Sequence, residues 1–314
     1  MNLVRRLTPL LLVCALFLSL SLASCAPEEK KSAKLTIVTT IFPPYDFARE
    51  IAGETTGVSI KMLLPPGSES HDYEPSLEDV AAIAECDLFI CVGGETDKWV
   101  EGVLEVIDTD VNVLRLLDCV EALDEEHLEG MEPEDGDEAE VDEHVWTSLR
   151  NSEVIVREIE KKMAEACPEY ADDFAEKANR FCDELRELDR EFTALTEGAE
   201  RRTLIFADRF PFRYFAEDYG LECYAAYQGC ASDAEPTLAS IDLLMGKLVS
   251  TDSTAVLIIE FSKGEAARLI AEETGTEVLT LHSCHNVSRE DFDGGVSYTY
   301  LMRRNLEVLR KVLS

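Results

Sequence analysis

The chain has 314 residues, with 64 acidic side chains against 29 basic ones and a formal net charge of −35. A surface this negative repels nucleic acid and anionic lipid and draws cations. At roughly 150 residues per domain, the length predicts two domains with ample core.

In chain order, Arg5 and Arg6 form a positive start, Leu7 to Leu22 is apolar, and LASC closes the segment at Cys25. Residues 1–24 therefore read as a signal peptide. LASC resembles a bacterial lipobox, which implies lipidation of Cys25. Residues 25–33 are then a polar, lipidated tether. No later apolar run approaches the roughly 18 to 20 residues needed to span a bilayer. The expected product is a soluble body at the extracytoplasmic face, held to the membrane by its lipid alone.

Residues 34–167 alternate strand and helix. Strands are predicted at Lys34 to Ile41, Val58 to Leu63, Leu88 to Val92 and Val113 to Leu117. Helices are predicted at Tyr45 to Ala52, Ser76 to Cys86 and Trp99 to Ile107. Pro43 and Pro44 are expected to stop the first strand, and Ser76 with Asp79 resembles a capping box. The pattern implies a small parallel sheet covered on both faces. Residues 121–143 break it, with thirteen acids in 23 residues and no Lys or Arg. Such a segment cannot bury much apolar surface and is expected to be a mobile loop. After a helix from Asn151 to Ala166, residues 168–199 read as one long connecting helix. Residues 200–314 repeat the α/β alternation, with strands at Thr203 to Ala207, Leu221 to Tyr227, Ala255 to Glu260 and Glu277 to Leu281. Helices are predicted at Phe212 to Tyr219, Leu238 to Val249, Gly264 to Thr274 and Tyr298 to Leu313. The predicted fold is α/β, with two small doubly wound parallel-sheet domains joined by one long rigid helix.

Five histidines occur in the chain. His71, His144, His282 and His285 stand where a predicted strand gives way to a loop or turn. In doubly wound folds that is where ligands bind, and imidazole is the commonest metal-ligating side chain. His127 lies within the acidic segment. Local sequence alone reads His71 as a surface histidine in a polar loop. Asp208, at the end of a strand, is open to two readings, as a metal ligand or as the cap of the next helix. His282 and His285 can converge if the backbone turns between them, one as ligand and the other beside it. Glu260 is a further carboxylate candidate. No GxSxG, HExxH or GxxxxGK[ST] stretch is present, and no basic aromatic surface suggests nucleic acid.

The LASC, GSESHDYEPS, GGETDKW, DEHVW, RYFAEDYGL and YTYLMRRN segments together resemble the substrate-binding lipoproteins of bacterial zinc and manganese ABC importers. The resemblance covers most of the chain beyond Cys25. It implies two pseudo-symmetric domains, limited closure, one metal in the cleft and an ABC permease as partner. By it His71 and His144 are the first two ligands and His282 holds the place of the last. Where the family carries a ligating His or Glu, this chain has Arg209, which cannot ligate, and Asp208 is the expected substitute. Three imidazoles and one carboxylate suit Zn2+, and Mn2+, which prefers more oxygen, comes second.

The chain is thus expected to be a monomeric binding protein and not an enzyme. Its rivals are a metal-dependent extracytoplasmic hydrolase and a surface adhesin with a structural metal. Eight cysteines follow Cys25 without the spacing of a zinc module. Cys86, Cys91, Cys167 and Cys182 read as buried apolar groups. Cys230 and Cys284 lie in predicted loops, and export permits a disulfide between them. Alkylation of unreduced protein should leave both unmodified, and a mass gain at both rules the bridge out.

Overall fold

Two four-stranded sheets repeat one topology. The first comprises β1 (Leu35–Thr39), β2 (Val58–Met62), β3 (Leu88–Cys91) and β4 (Val113–Arg115), in the order β2-β1-β3-β4. The second comprises β5 (Thr203–Phe210), β6 (Glu222–Gln228), β7 (Ala255–Ile258) and β8 (Glu277–Thr280), in the order β6-β5-β7-β8. Every pairing within them is parallel. In this computed structural model residues 33–69, 73–107, 110–129, 131, 140–229 and 236–314 are described. Lys34–Ser314 form one compact unit.

The central strands β1 and β3 are apolar on both faces because helices cover both, and all four residues of β3 are buried. The helices are α1 (Phe42–Ala52), α2 (Leu77–Glu85), α3 (Trp99–Val106), α4 (Leu149–Ala166), α5 (Ala171–Gly198), α6 (Arg213–Tyr219), α7 (Leu238–Ser250), α8 (Glu265–Thr274), α9 (Arg289–Asp293) and α10 (Tyr298–Val312). In each half the chain runs from the second strand of the order to the first and then crosses to the third. The crevice beyond the carboxyl ends of β1 and β5 is therefore where a ligand fits.

The long connector exists as α5. Its 28 residues span about 42 Å at 1.5 Å per residue. Phe174, Ala178, Phe181, Cys182, Leu185, Leu188 and Phe192 repeat at helical spacing and are buried. One end grips the first half, where Lys177 Nζ donates to the Ala52 carbonyl at 2.9 Å. The other end grips the second, where Tyr219 Oη donates to Asp189 at 2.9 Å. One apolar cluster includes Leu35, Leu185, Phe192 and Phe206, so the core does not break between the sheets.

Two local expectations change. Pro43 and Pro44 do not separate strand from helix; they lie in the first turn of α1, where a missing N–H costs no hydrogen bond. Strand β5 also runs past Ala207 to Phe210, with a register shift between Phe206 and Arg209, the signature of a bulge. The Ser76–Asp79 capping box is present, and Asp79 also accepts from Tyr73 Oη at 3.0 Å. The described ends of the acidic segment are anchored more firmly than composition suggests. Leu128 and Met131 are buried, and Asp124 bridges Val141 in antiparallel fashion. Residues 130 and 132–139 lie outside the described residues, as do Cys25 and the whole signal segment.

Asp46 on α1 is fully buried. It accepts from the Tyr298 backbone N–H at 2.7 Å and pairs with Arg49. Burial pushes its carboxyl up to about 7, with Arg49 opposing. The folded protein thus holds a proton that the unfolded chain has released, so this group's contribution to stability is lost as pH rises through about 7. Asp46→Asn should therefore melt at a higher temperature relative to wild type at pH 8 than at pH 5. Thermal unfolding of both proteins at the two pH values measures this difference.

Candidate metal site

The cleft between the two halves narrows to a cavity of about 20 Å³, room for roughly one water-sized sphere. Its walls come from carboxyl-end loops of both sheets and include Glu69, His144, Arg209, Glu260, His285 and Asn286. A space of this size suits an ion.

His144 is fully buried at the start of a single 3₁₀ turn, Val145–Thr147. Asp142, two residues before it, accepts from the His144 backbone N–H at 2.8 Å and lies 3.1 Å from ring Nδ1. With Nδ1–H on Asp142, Nε2 is the atom left for a metal. Burial pushes the imidazole pKa down, but the charge and hydrogen bond of Asp142, with Glu143 and Glu125, outweigh it and hold the pKa above the ordinary value. Glu143 is fixed in turn by the GGETD segment, where the Thr96 backbone N–H donates to it at 3.0 Å.

The second half contributes His285. Its ring lies 5.4 Å from that of His144, at an interplanar angle of 89°. Trp146 packs on both rings, with centroids 5.4 Å from His144 and 5.0 Å from His285. The indole N–H donates to the Ser283 carbonyl at 2.8 Å and so ties the turn bearing His285 to the first half. Glu260 holds the same turn from below. It accepts from Ser283 N at 2.7 Å, Ser283 Oγ at 2.6 Å and His285 N at 3.3 Å. Cys284, between these two residues, has φ 63, a left-handed conformation uncommon for a non-glycine residue and typical of functional turns.

Two other predicted donors adjoin the cavity without lining it. His282 is not part of the cavity wall; its Nδ1 accepts from Cys284 N at 2.9 Å. Its backbone is held at both ends by Asn305, at 2.8 and 2.7 Å. Asp208 is also absent from the wall. Its carboxylate accepts from Arg209 N at 2.8 Å and Ile259 N at 3.3 Å, clipping the bulge of β5 to the strand beside it. His127 is exposed on the acidic segment. His71 and Cys230 lie outside the described residues, and Cys284, the other half of the expected disulfide, is a free buried cysteine. Among the described residues, no three His, Cys, Asp or Glu side chains form a metal site by themselves.

The sequence register favours His282 over His285, whereas His285 is the one that lines the cavity. The turn at Cys284 places it there, and nothing in the side-chain pattern announces a positive φ at that residue. The cavity roles of Glu69 and Asn286 also went unread, because both are ordinary polar loop residues in sequence. Asn286 Nδ2 donates to the Pro65 and Ser68 carbonyls at 2.9 and 2.8 Å, joining the loops of the two halves.

The model of the family described as zinc-uptake complex component A, periplasmic, matches residues 37–312. The chain belongs to this family. It is 29% identical over 307 residues to the zinc-binding lipoprotein AdcA of Streptococcus pneumoniae (strain ATCC BAA-255 / R6), covering 95% of this chain and 59% of AdcA. The chain thus spans less than two thirds of that relative's length. It is 26% identical to the high-affinity zinc uptake system protein ZnuA of Bacillus subtilis (strain 168), covering 91% of this chain and 89% of ZnuA. The solved Zn(II)-bound ZnuA-like domain of Streptococcus pneumoniae AdcA superposes with a TM-score of 0.73 at 27% identity, covering 89% of this chain and 98% of that one.

Gly229 makes the placement of His144 possible. A Cβ at this position would stand 2.8 Å from His144 Cε1 and 3.1 Å from the Phe210 carbonyl oxygen. With rigid groups on both sides, an alanine must displace the ring, and ligand sets tolerate only about 0.5 Å of error. Gly229→Ala should bind zinc at least about tenfold more weakly with unchanged circular dichroism; calorimetric titration measures the loss.

Proposed function

We propose that this chain is an extracytoplasmic binding protein that captures Zn2+ in the cleft between its halves and delivers it to an ABC permease. The carrying observation is the pair His144 and His285, presented by opposite halves to one ion-sized cavity with ring centroids 5.4 Å apart. Two imidazoles on one tetrahedral zinc, with Zn–N near 2.0–2.1 Å, put their centroids roughly 5 Å apart. His71 is the third imidazole in this reading. Glu260 supplies negative charge and holds the turn of His285. Asp208 and His282 keep the bulge and the turn in shape. A site rich in imidazole favours Zn2+ over Mn2+.

The lipobox-like LASC supports anchoring through Cys25. Among the described residues no helix is long and apolar enough to cross a membrane. The small cavity disfavours hydrolysis, which needs room for an organic substrate beside the metal. In this reading the chain makes and breaks no covalent bond and acts as a monomer.

Protein beginning at residue 26, titrated calorimetrically with Zn2+, should bind one equivalent. His144→Ala and His285→Ala should each weaken binding by about a hundredfold or more, at least what the loss of an outer-shell partner costs. His282→Ala should change it only a few-fold. Equal losses in His282→Ala and His285→Ala would overturn the choice of ligand, and no binding by the wild type would overturn the function.

The metal requires neutral imidazole, and the raised pKa of His144 makes protons compete at higher pH than they do for an ordinary imidazole. Zinc affinity should therefore fall steadily from pH 8 to pH 6. A flat profile would mean that no imidazole binds the ion.

A further inference from the structure

An arginine stands in the wall of this cavity. Its side chain is only 16% exposed, and its guanidinium donates to Glu69 at 2.8 Å, joining β5 of the second half to the β2–α2 loop of the first. Asp208 and Glu260 also lie within its field, although burial itself opposes the charge. Guanidinium does not lose its proton at any relevant pH and offers donors only. Arg209 is therefore a fixed positive charge placed where a dication is to bind.

We infer that Arg209 sets metal selectivity by withholding the Glu69 carboxylate from the incoming ion. The inference rests on the zinc-binding role proposed above. Glu69 is the cavity carboxylate not occupied with holding the 283–285 turn; Glu260 already accepts three hydrogen bonds there. With Glu69 paired to Arg209, an ion in the cavity meets chiefly imidazole. Imidazole serves zinc well, whereas manganese relies on carboxylate and other oxygen ligands. The guanidinium also repels any dication, a cost common to zinc and manganese that leaves their ratio unchanged. Arg209 thus acts against manganese by removing an oxygen donor.

The test compares Zn2+ and Mn2+ affinities by calorimetry for wild type, Arg209→Gln, Arg209→Lys, Glu69→Gln and the Arg209→Gln/Glu69→Gln double variant. Thermal unfolding of each metal-free protein checks that it folds. Arg209→Gln should bind Mn2+ about tenfold or more tightly than wild type and narrow the preference for zinc, because Glu69 becomes available as an oxygen donor. The double variant should lose that gain, and Arg209→Lys, which retains the charge, should stay close to wild type. Glu69→Gln alone should leave the zinc-to-manganese preference unchanged, since its carboxylate is already withheld. This variant carries the test even if Arg209→Gln does not fold. An unchanged preference in folded Arg209→Gln, or a changed zinc-to-manganese preference in Glu69→Gln, overturns the inference while leaving zinc binding intact. Failure of the wild type to bind either metal overturns the underlying function together with the inference.

Discussion

The indole of Trp146 decides where everything in the cleft stands. It is fully buried, it packs against the imidazoles of both halves, and its N–H reaches across to the Ser283 carbonyl. Its own carbonyl accepts from Ser152 Oγ at 2.9 Å and from Tyr298 Oη at 2.6 Å. Tyr298 in turn donates its backbone N–H to Asp46 on α1. A single aromatic residue therefore joins the first helix, the last helix, His144 and the turn of His285. Buried polar groups are costly unless paired, so each of these bonds fixes its partner's position as well as its own. The geometry of the two imidazoles follows from this network before any ion arrives.

The same economy governs the charges. Asp142 orients His144, Glu260 shapes the turn beneath His285, and Glu143 is held by Thr96. Each carboxylate near the cavity is occupied by a nearby donor. On the selectivity inferred above, what counts is which carboxylates are already engaged, rather than how many acids the chain contains. The formal charge of −35 says little about the site, because few of the acids line the cavity.

Much of the architecture was legible in sequence. The eight strands, the capping box at Ser76 and the long α5 follow from periodicity and turn chemistry, and helix ends fell within a few residues. His144 was reached through the resemblance that DEHVW helps to carry. The place of His285 in the cavity wall was not legible, since it depends on the dihedral angle of Cys284. The surroundings of Asp208 were equally hidden: a bulge turns this strand-end carboxylate toward backbone N–H groups. These are tertiary decisions, made by hydrogen bonds between segments far apart in the chain.

The repeated strand order also bears on how the molecule forms. Each sheet is wholly parallel, so no pairing can be made by a short hairpin, and β1 and β5 must each wait for a partner delivered by a helical crossover. Folds dominated by such distant contacts assemble slowly and leave apolar strands uncovered meanwhile. Strong like charge keeps partly folded copies apart in solution. The acidic excess that contributes little to ligation thus protects the chain during the interval when its sheets are unfinished.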